Sequence, residues 1–158
     1  MEKQDLELLL TKLLLGAQLD SIRAYNIALD LEFNQIGKPK LPITIYFTTS
    51  NPIWIIQDKD KTYEIDYKTD FFKQREKIIS ELYSLIGQEV RFVRVSNKGE
   101  LTFAFYEKTF FLSRNTEEFE TIWEIMDNTT DVKVNHDWHI SWLEYNDVDL
   151  KIPENFQY

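Results

Sequence analysis

A single pattern written twice constrains this chain more than any other feature. Leu14 to Phe33 reads LLGAQLDSIRAYNIALDLEF, and Leu85 to Phe105 reads LIGQEVRFVRVSNKGELTFAF. Setting Gly16 on Gly87 places Leu19 on Val90 and Ile22 on Val93. One extra loop residue in the second copy then brings Leu29 onto Leu101, Leu31 onto Phe103 and Phe33 onto Phe105. The match runs on to the pairs Ile53-Trp54 and Ile122-Trp123, and each glycine follows a segment of helical apolar spacing. Two units of helix, glycine and strands are therefore expected, over 1–69 and 70–158. Lys68-Thr69 is the only joint, and no Pro-, Gly- or Ser-rich linker separates the units, so they should pack as one compact domain. The expected class is α+β, mainly antiparallel sheet with one helix introducing each unit.

The periodicities fill in this plan. Leu6, Leu9, Leu10, Leu13 and Leu14 have the i, i+3, i+4 spacing of an amphipathic helix, which predicts Asp5–Leu15 with Asp5 as N-cap and Gly16 as the stop. Ile27, Leu29, Leu31 and Phe33 alternate with polar residues, the period of a strand with one wet face. Weaker or shorter strands are expected over Leu19–Ala24, Ile43–Phe47, Ile53–Ile56 and Thr62–Tyr67. A second helix follows over Asp70–Ile86, with Phe71, Ile78, Leu82 and Leu85 in one stripe and Phe72, Ile79 and Ile86 beside it. A hairpin across Ser96-Asn97-Lys98-Gly99 and a strand at Thr109–Leu112 come next.

Thr116–Met126 supports two readings. Phe119, Ile122, Trp123 and Met126 have helical spacing, but the matching stretch Ile53–Gln57 reads as strand, and strand is taken for Thr121–Met126. Asp131–His136 and Trp138–Tyr145 should close the sheet, with Val132, Val134, Trp138, Ile140 and Trp142 on one parity. The tail after Asn146 is partly apolar and is left open between docked and loose.

No catalytic signature emerges. The absence of cysteine removes disulfides, thiolate metal sites and cysteine nucleophiles. His136 and His139 fall on opposite faces of a strand, and no third ligand stands at a recognised spacing. The four glycines stand apart, so no phosphate-cradling loop is present, and neither an EF-hand nor a G-x-S-x-G elbow occurs. The expectation is a non-enzymatic protein with no cofactor and no metal.

Charge is the positive signal. Met1 to Arg114 holds 16 Lys/Arg and 16 Asp/Glu, whereas Asn115 to Tyr158 holds 11 Asp/Glu against Lys133 and Lys151, so the net −9 comes from the C-terminal part alone. That balance argues against nucleic acid as a direct ligand, because phosphate binding relies on clustered Lys and Arg. It points to a basic protein partner, met by Glu117, Glu118, Glu120, Asp137, Glu144, Asp147 and Asp149, with Trp138, Trp142 and Tyr145 as anchors. Whether Trp138 and Trp142 serve the core or an interface stays open, as does monomer against homodimer. Trp54 and Trp123 hold equivalent places in the two copies and are expected in the core. No apolar run approaches the roughly 18 residues that span a bilayer. Glu2, Asp5, Glu7 and Lys12 break up the N-terminal leucines as a signal sequence, so a soluble cytoplasmic protein is expected.

The repeated residues also carry a resemblance. Gly16, Leu29, Leu31, Phe33 and Trp54, and again Gly87, Leu101, Phe103, Phe105 and Trp123, follow an apolar-x-Gly-x-x-apolar, L-x-[LF]-x-F, Trp pattern. This resembles small bacterial immunity proteins encoded beside polymorphic or contact-dependent toxins. The resemblance implies a small, acidic, aromatic-rich inhibitor without an active site, neutralising a cognate toxin domain; the acidic surplus points to a nuclease, which carries positive surface to attract phosphate. It carries over no functional residue. The alternative is a structural module that self-assembles through a sheet edge.

Overall fold

The computed structural model describes residues 3–25, 28–35, 37–38, 41–49, 53–66, 71–113, 121–128, 138–145, 147–154 and 156. Its elements run α1 (Lys3–Leu14), β1 (Gln18–Ala24), β2 (Leu29–Asn34), β3 (Thr44–Thr49), β4 (Ile53–Asp58), β5 (Lys61–Asp66) and α2 (Phe71–Tyr83). They continue with β6 (Phe92–Val95), β7 (Leu101–Ala104), β8 (Lys108–Leu112), β9 (Thr121–Asp127), β10 (His139–Leu143) and β11 (Val148–Lys151). The chain is thus mainly antiparallel β-sheet with two helices among the described residues, within the expected α+β class.

All five leucines of the α1 stripe are buried. The helix begins two residues before Asp5, so Asp5 is not the N-cap. It lies in the first turn, where a carboxylate is favoured by the positive end of the helix dipole. At the other end Lys38 Nζ donates to the Leu15 carbonyl, covering an orphan acceptor of the last turn. Burial lowers the Lys38 pKa at this position. The second helix stops at Tyr83, and short turns through Leu85 and Ile86 bring the chain to Gly87. Leu82 and Leu85 are buried while Ile79 is exposed; the side chains of Phe71, Phe72 and Ile78 lie outside the described residues.

The strands divide into two sheets, ordered β1-β2-β3-β9-β10-β11 and β5-β4-β8-β7-β6. The chain leaves the first sheet after β3, forms the β4–β5 hairpin whose β4 lies beside β8 in the second, and returns after β8 to lay β9 beside β3. At the start of each half the pairing is reciprocal. Gly16 N donates to Val90 O (2.8 Å) and Gly87 N to Leu19 O (2.7 Å). Val90 N donates to Ala17 O and Leu19 N to Gln88 O, both at 2.9 Å. Exchanging Gly16 with Gly87 and Leu19 with Val90 exchanges these bonds for one another. Register follows the same correspondence, since Leu31 faces Phe47 as Phe103 faces Phe110.

Side chains from the two inner faces meet in an aromatic cluster. The Phe103 ring lies 5.6 Å from Phe33 and 5.2 Å from Phe47 of the six-stranded sheet, and 6.1 Å from Phe110 of its own sheet. Trp54 and Trp123 are buried in this layer, the core places expected for them. The Ser96–Gly99 turn closes over the tryptophan side: Trp123 Nε1 donates to Gly99 O at 2.8 Å, and the Trp142 ring lies 6.2 Å from Trp123, tilted by 33°. Thr121–Asp127 is strand, which resolves that ambiguity for the described residues. The expected strand at Asp131–His136 lies outside them. The tail is docked. Val148–Lys151 adds a sixth strand, and the Phe156 ring meets Trp138 edge-on at 4.6 Å.

Lys108 ties α2 to the second sheet. Its ammonium, on a side chain 13% exposed, reaches Glu81 Oε2 and Ser84 Oγ at 2.7 Å and Asp58 Oδ2 at 3.9 Å. Removing the cation leaves two carboxylates facing each other in partial burial. Lys108→Met should lower stability by about 1–3 kcal/mol. Urea denaturation reads this directly, and an unchanged midpoint would remove the triad's structural role.

Candidate functional site

One end of the six-stranded sheet collects most of the described residues that the charge pattern singled out. Thr121 of β9 pairs with Leu143 of β10, and the chain then turns through Glu144 and Tyr145 to Asp147. Leu143 N donates to Asp147 O at 2.8 Å, which closes the turn. Asp147 Oδ1 accepts from Val148 N at 2.9 Å, which fixes its carboxylate beside the first residue of β11. Tyr145 is 87% exposed, the most open of the large hydrophobic side chains described. Asp149 follows on the outer face, opposite Ser141. Glu144, Tyr145, Asp147 and Asp149 therefore share one hairpin on the edge strand of the sheet.

Trp138 and Trp142 go elsewhere. They are 3% and 5% exposed, and with Ile140 they fill the inner face of β10. The question the sequence left open resolves to the core, because their shared parity points them at the opposite sheet. They offer no surface to a partner, and Tyr145 is the exposed aromatic of the group. Glu117, Glu118, Glu120 and Asp137 lie outside the described residues.

The strand register assembles a second group on the same outer face. Reading across β1, β2, β3, β9, β10 and β11 gives Arg23, Asp30, Thr48, Glu124, Ser141 and Asp149 in a row. Asp30 is 5% exposed, and both its oxygens are used: Thr48 Oγ1 donates to Oδ1 at 2.7 Å, and the Tyr46 hydroxyl donates to Oδ2. Burial, reinforced by this bond to a carboxylate, pushes the Tyr46 phenol well above its ordinary value. Beside it, Glu32 takes Arg23 Nη2 and Asn128 Nδ2, each at 3.3 Å. Among the described residues, the ion pairs Arg23–Glu32, Lys59–Glu107, Arg91–Glu89, Lys108–Asp58 and Lys108–Glu81 join residues of the charge-balanced part of the chain.

The Tyr46 pKa has a testable consequence. A phenol held protonated by the fold contributes stability fully below its ordinary pKa of about 10, and that contribution is lost as pH rises towards the folded value. In an ultraviolet titration of the folded protein, Tyr46 should contribute a step delayed above the ordinary phenol range. Tyr46→Phe should remove that delayed step. A titration in which Tyr46→Phe instead loses an early step would contradict the Asp30 contact.

Sequence reasoning did not single out Asp30, Tyr46, Thr48 or Glu124. The alternation in β2 put Asp30 on a wet face, but the meeting of the four depends on the β2–β3–β9 register, which no single strand records. His139 pairs in register with Met126 and Lys151, while His136 lies outside the described residues. Among the described residues no group of three or more His, Asp or Glu could hold a metal ion. No helix among them is long and apolar enough to cross a membrane. No protein-family model, curated protein or solved structure matches the chain.

Proposed function

We propose that this chain is a non-enzymatic binding protein that neutralises a basic partner, in the manner of a cytoplasmic immunity protein blocking a nuclease toxin. The observation that carries the reading is the acidic hairpin. Glu144, Asp147 and Asp149 stand around the exposed Tyr145 on an edge strand, in the part of the chain that supplies the whole −9. An aromatic ring supplies contact area at low entropic cost, and surrounding carboxylates steer a cationic surface toward it. A nuclease must attract phosphate and so carries positive surface, which an acidic inhibitor can occupy. We further propose that the scaffold is a duplicated unit whose halves exchange strands. The matched glycines and the reciprocal bonds between 16–19 and 87–90 support this.

Self-assembly through β11 is the second reading, since β11 is an edge strand. Carboxylates on and beside an edge oppose pairing with a like strand, which favours the first reading. The test is charge reversal at Glu144, Asp147 and Asp149 together. Opposite fields raise association rates by roughly 10- to 1,000-fold, so the reversed chain should associate with its partner at least about tenfold more slowly, and the wild-type rate should fall steeply with salt. An unchanged rate and salt slope would defeat the proposal. A salt-insensitive homodimer in light scattering would favour self-assembly.

A further inference from the structure

We infer that a cavity at the end of the β3–β9 ladder receives a single lysine or arginine side chain of the partner. The inference rests on the basic-partner reading and deepens it. The cavity has a volume of about 120 Å³ and is lined by Thr48, Thr49, Thr121, Ile122, Trp123 and Glu124. It opens where the last β3–β9 pair, Thr48 with Glu124, gives way to the strand ends.

Part of its polar lining has its hydrogens already committed. Thr48 spends its hydroxyl hydrogen on Asp30 Oδ1 at 2.7 Å, and Thr49 spends its own on the Ile122 carbonyl at 2.7 Å. A hydroxyl whose hydrogen is committed turns lone pairs to any other neighbour. Glu124 adds a carboxylate, which accepts only. Lysine and arginine heads carry a charge and donate without accepting, so they match the Glu124 carboxylate at the cavity wall.

The opposite sheet provides an internal comparison. Under the reciprocal correspondence of the two sheets, Thr48 falls on Phe111, Glu124 on Ile55, Asp30 on Thr102 and Thr49 on Leu112. The same scaffold position is therefore built with apolar and neutral residues on one sheet and with acceptors on the other. The opposite sheet is built without a carboxylate at the Glu124 position; an incoming cation would use Glu124. The location is also apt. Asp149 lies two strands from Glu124 along one cross-strand row, roughly 10 Å away at the usual strand spacing, and Thr121 pairs with Leu143 at the foot of the acidic turn. One basic surface laid on this end can reach both the hairpin and the cavity.

The test uses the intact ¹⁵N-labelled chain titrated with n-butylguanidinium and n-butylammonium, with n-butylurea as the uncharged isostere. Saturable amide shifts at Thr48, Thr49 and Glu124 are expected with the cations, at roughly millimolar affinity, as suits one isolated head group. Butylguanidinium shifting these amides alone would assign the cavity to arginine, and butylammonium alone to lysine; either supports the inference. Glu124→Gln, which keeps the shape, should weaken binding about tenfold. Equal shifts with butylurea, equal affinity in Glu124→Gln, or no shift with either cation would overturn it. The hairpin reading is judged separately by the Glu144, Asp147 and Asp149 reversal. A failed cavity titration beside a successful reversal sinks this inference alone, and the opposite pair of results sinks the hairpin reading alone.

Discussion

Gly99→Ala is expected to destabilise the fold by about 2–4 kcal/mol, from two sources that act at one atom. The residue sits at φ +81°, where a side chain other than hydrogen is strained by about 1 kcal/mol. A Cβ there would also fall inside the van der Waals envelope of Nε1, Cδ1 and Cε2 of Trp142. The indole has little room to retreat, being 5% exposed and packed against the tilted ring of Trp123. Moving the turn instead would stretch the 2.8 Å bond from Trp123 Nε1 to the Gly99 carbonyl. Overpacking of this kind adds about 1–3 kcal/mol. Gly37 provides the control. At φ +83° a methyl added to it would meet no described atom within 4 Å, so Gly37→Ala should show the strain alone. Equal losses for the two variants in urea denaturation would show that the turn does not press on the tryptophans.

Phe103→Ala should have the largest effect, about 3–5 kcal/mol. The ring is fully buried and touches aromatic neighbours from both sheets: Phe33 and Phe47 from one, Phe110 from the other. Its loss opens a cavity at the seam, where neither sheet can close in without disturbing its own ladder. Phe92→Ala, on the outer face of the same sheet and 44% exposed, should stay within about 1 kcal/mol. Similar losses for the two would mean that the sheets are not held together at this cluster.

What the sequence disclosed follows the range of the interactions concerned. The alternation Leu29-Leu31-Phe33 and the leucine stripe of α1 are local, and both faces are buried as their periods require. Trp54 and Trp123 took the core places expected of large apolar rings beside isoleucine in strands. The division into two sheets was not legible. It depends on β9 choosing β3 and β4 choosing β8, pairings between distant segments whose hydrophobic patterns suit several partners. The start of α1 was misplaced because Asp5 serves a first turn as well as a cap. The tail showed apolar residues at Val148 and Leu150 but no partner; once β10 stood at the edge, those residues could continue the inner face as β11. Of the candidate site, the hairpin quartet was visible as charge beside an aromatic. Asp30, Tyr46, Thr48 and Glu124 were invisible, since their grouping exists only across three strands.

The central claim is that the acidic end of the six-stranded sheet captures a basic protein. It is tested most directly by presenting the wild-type chain and the Glu144/Asp147/Asp149 reversal as baits to lysate of the source cell, between about 50 and 500 mM salt. The account predicts a basic protein retained by the wild type, released as salt rises, and not held by the reversal. Equal retention by both baits, unaffected by salt, would contradict it.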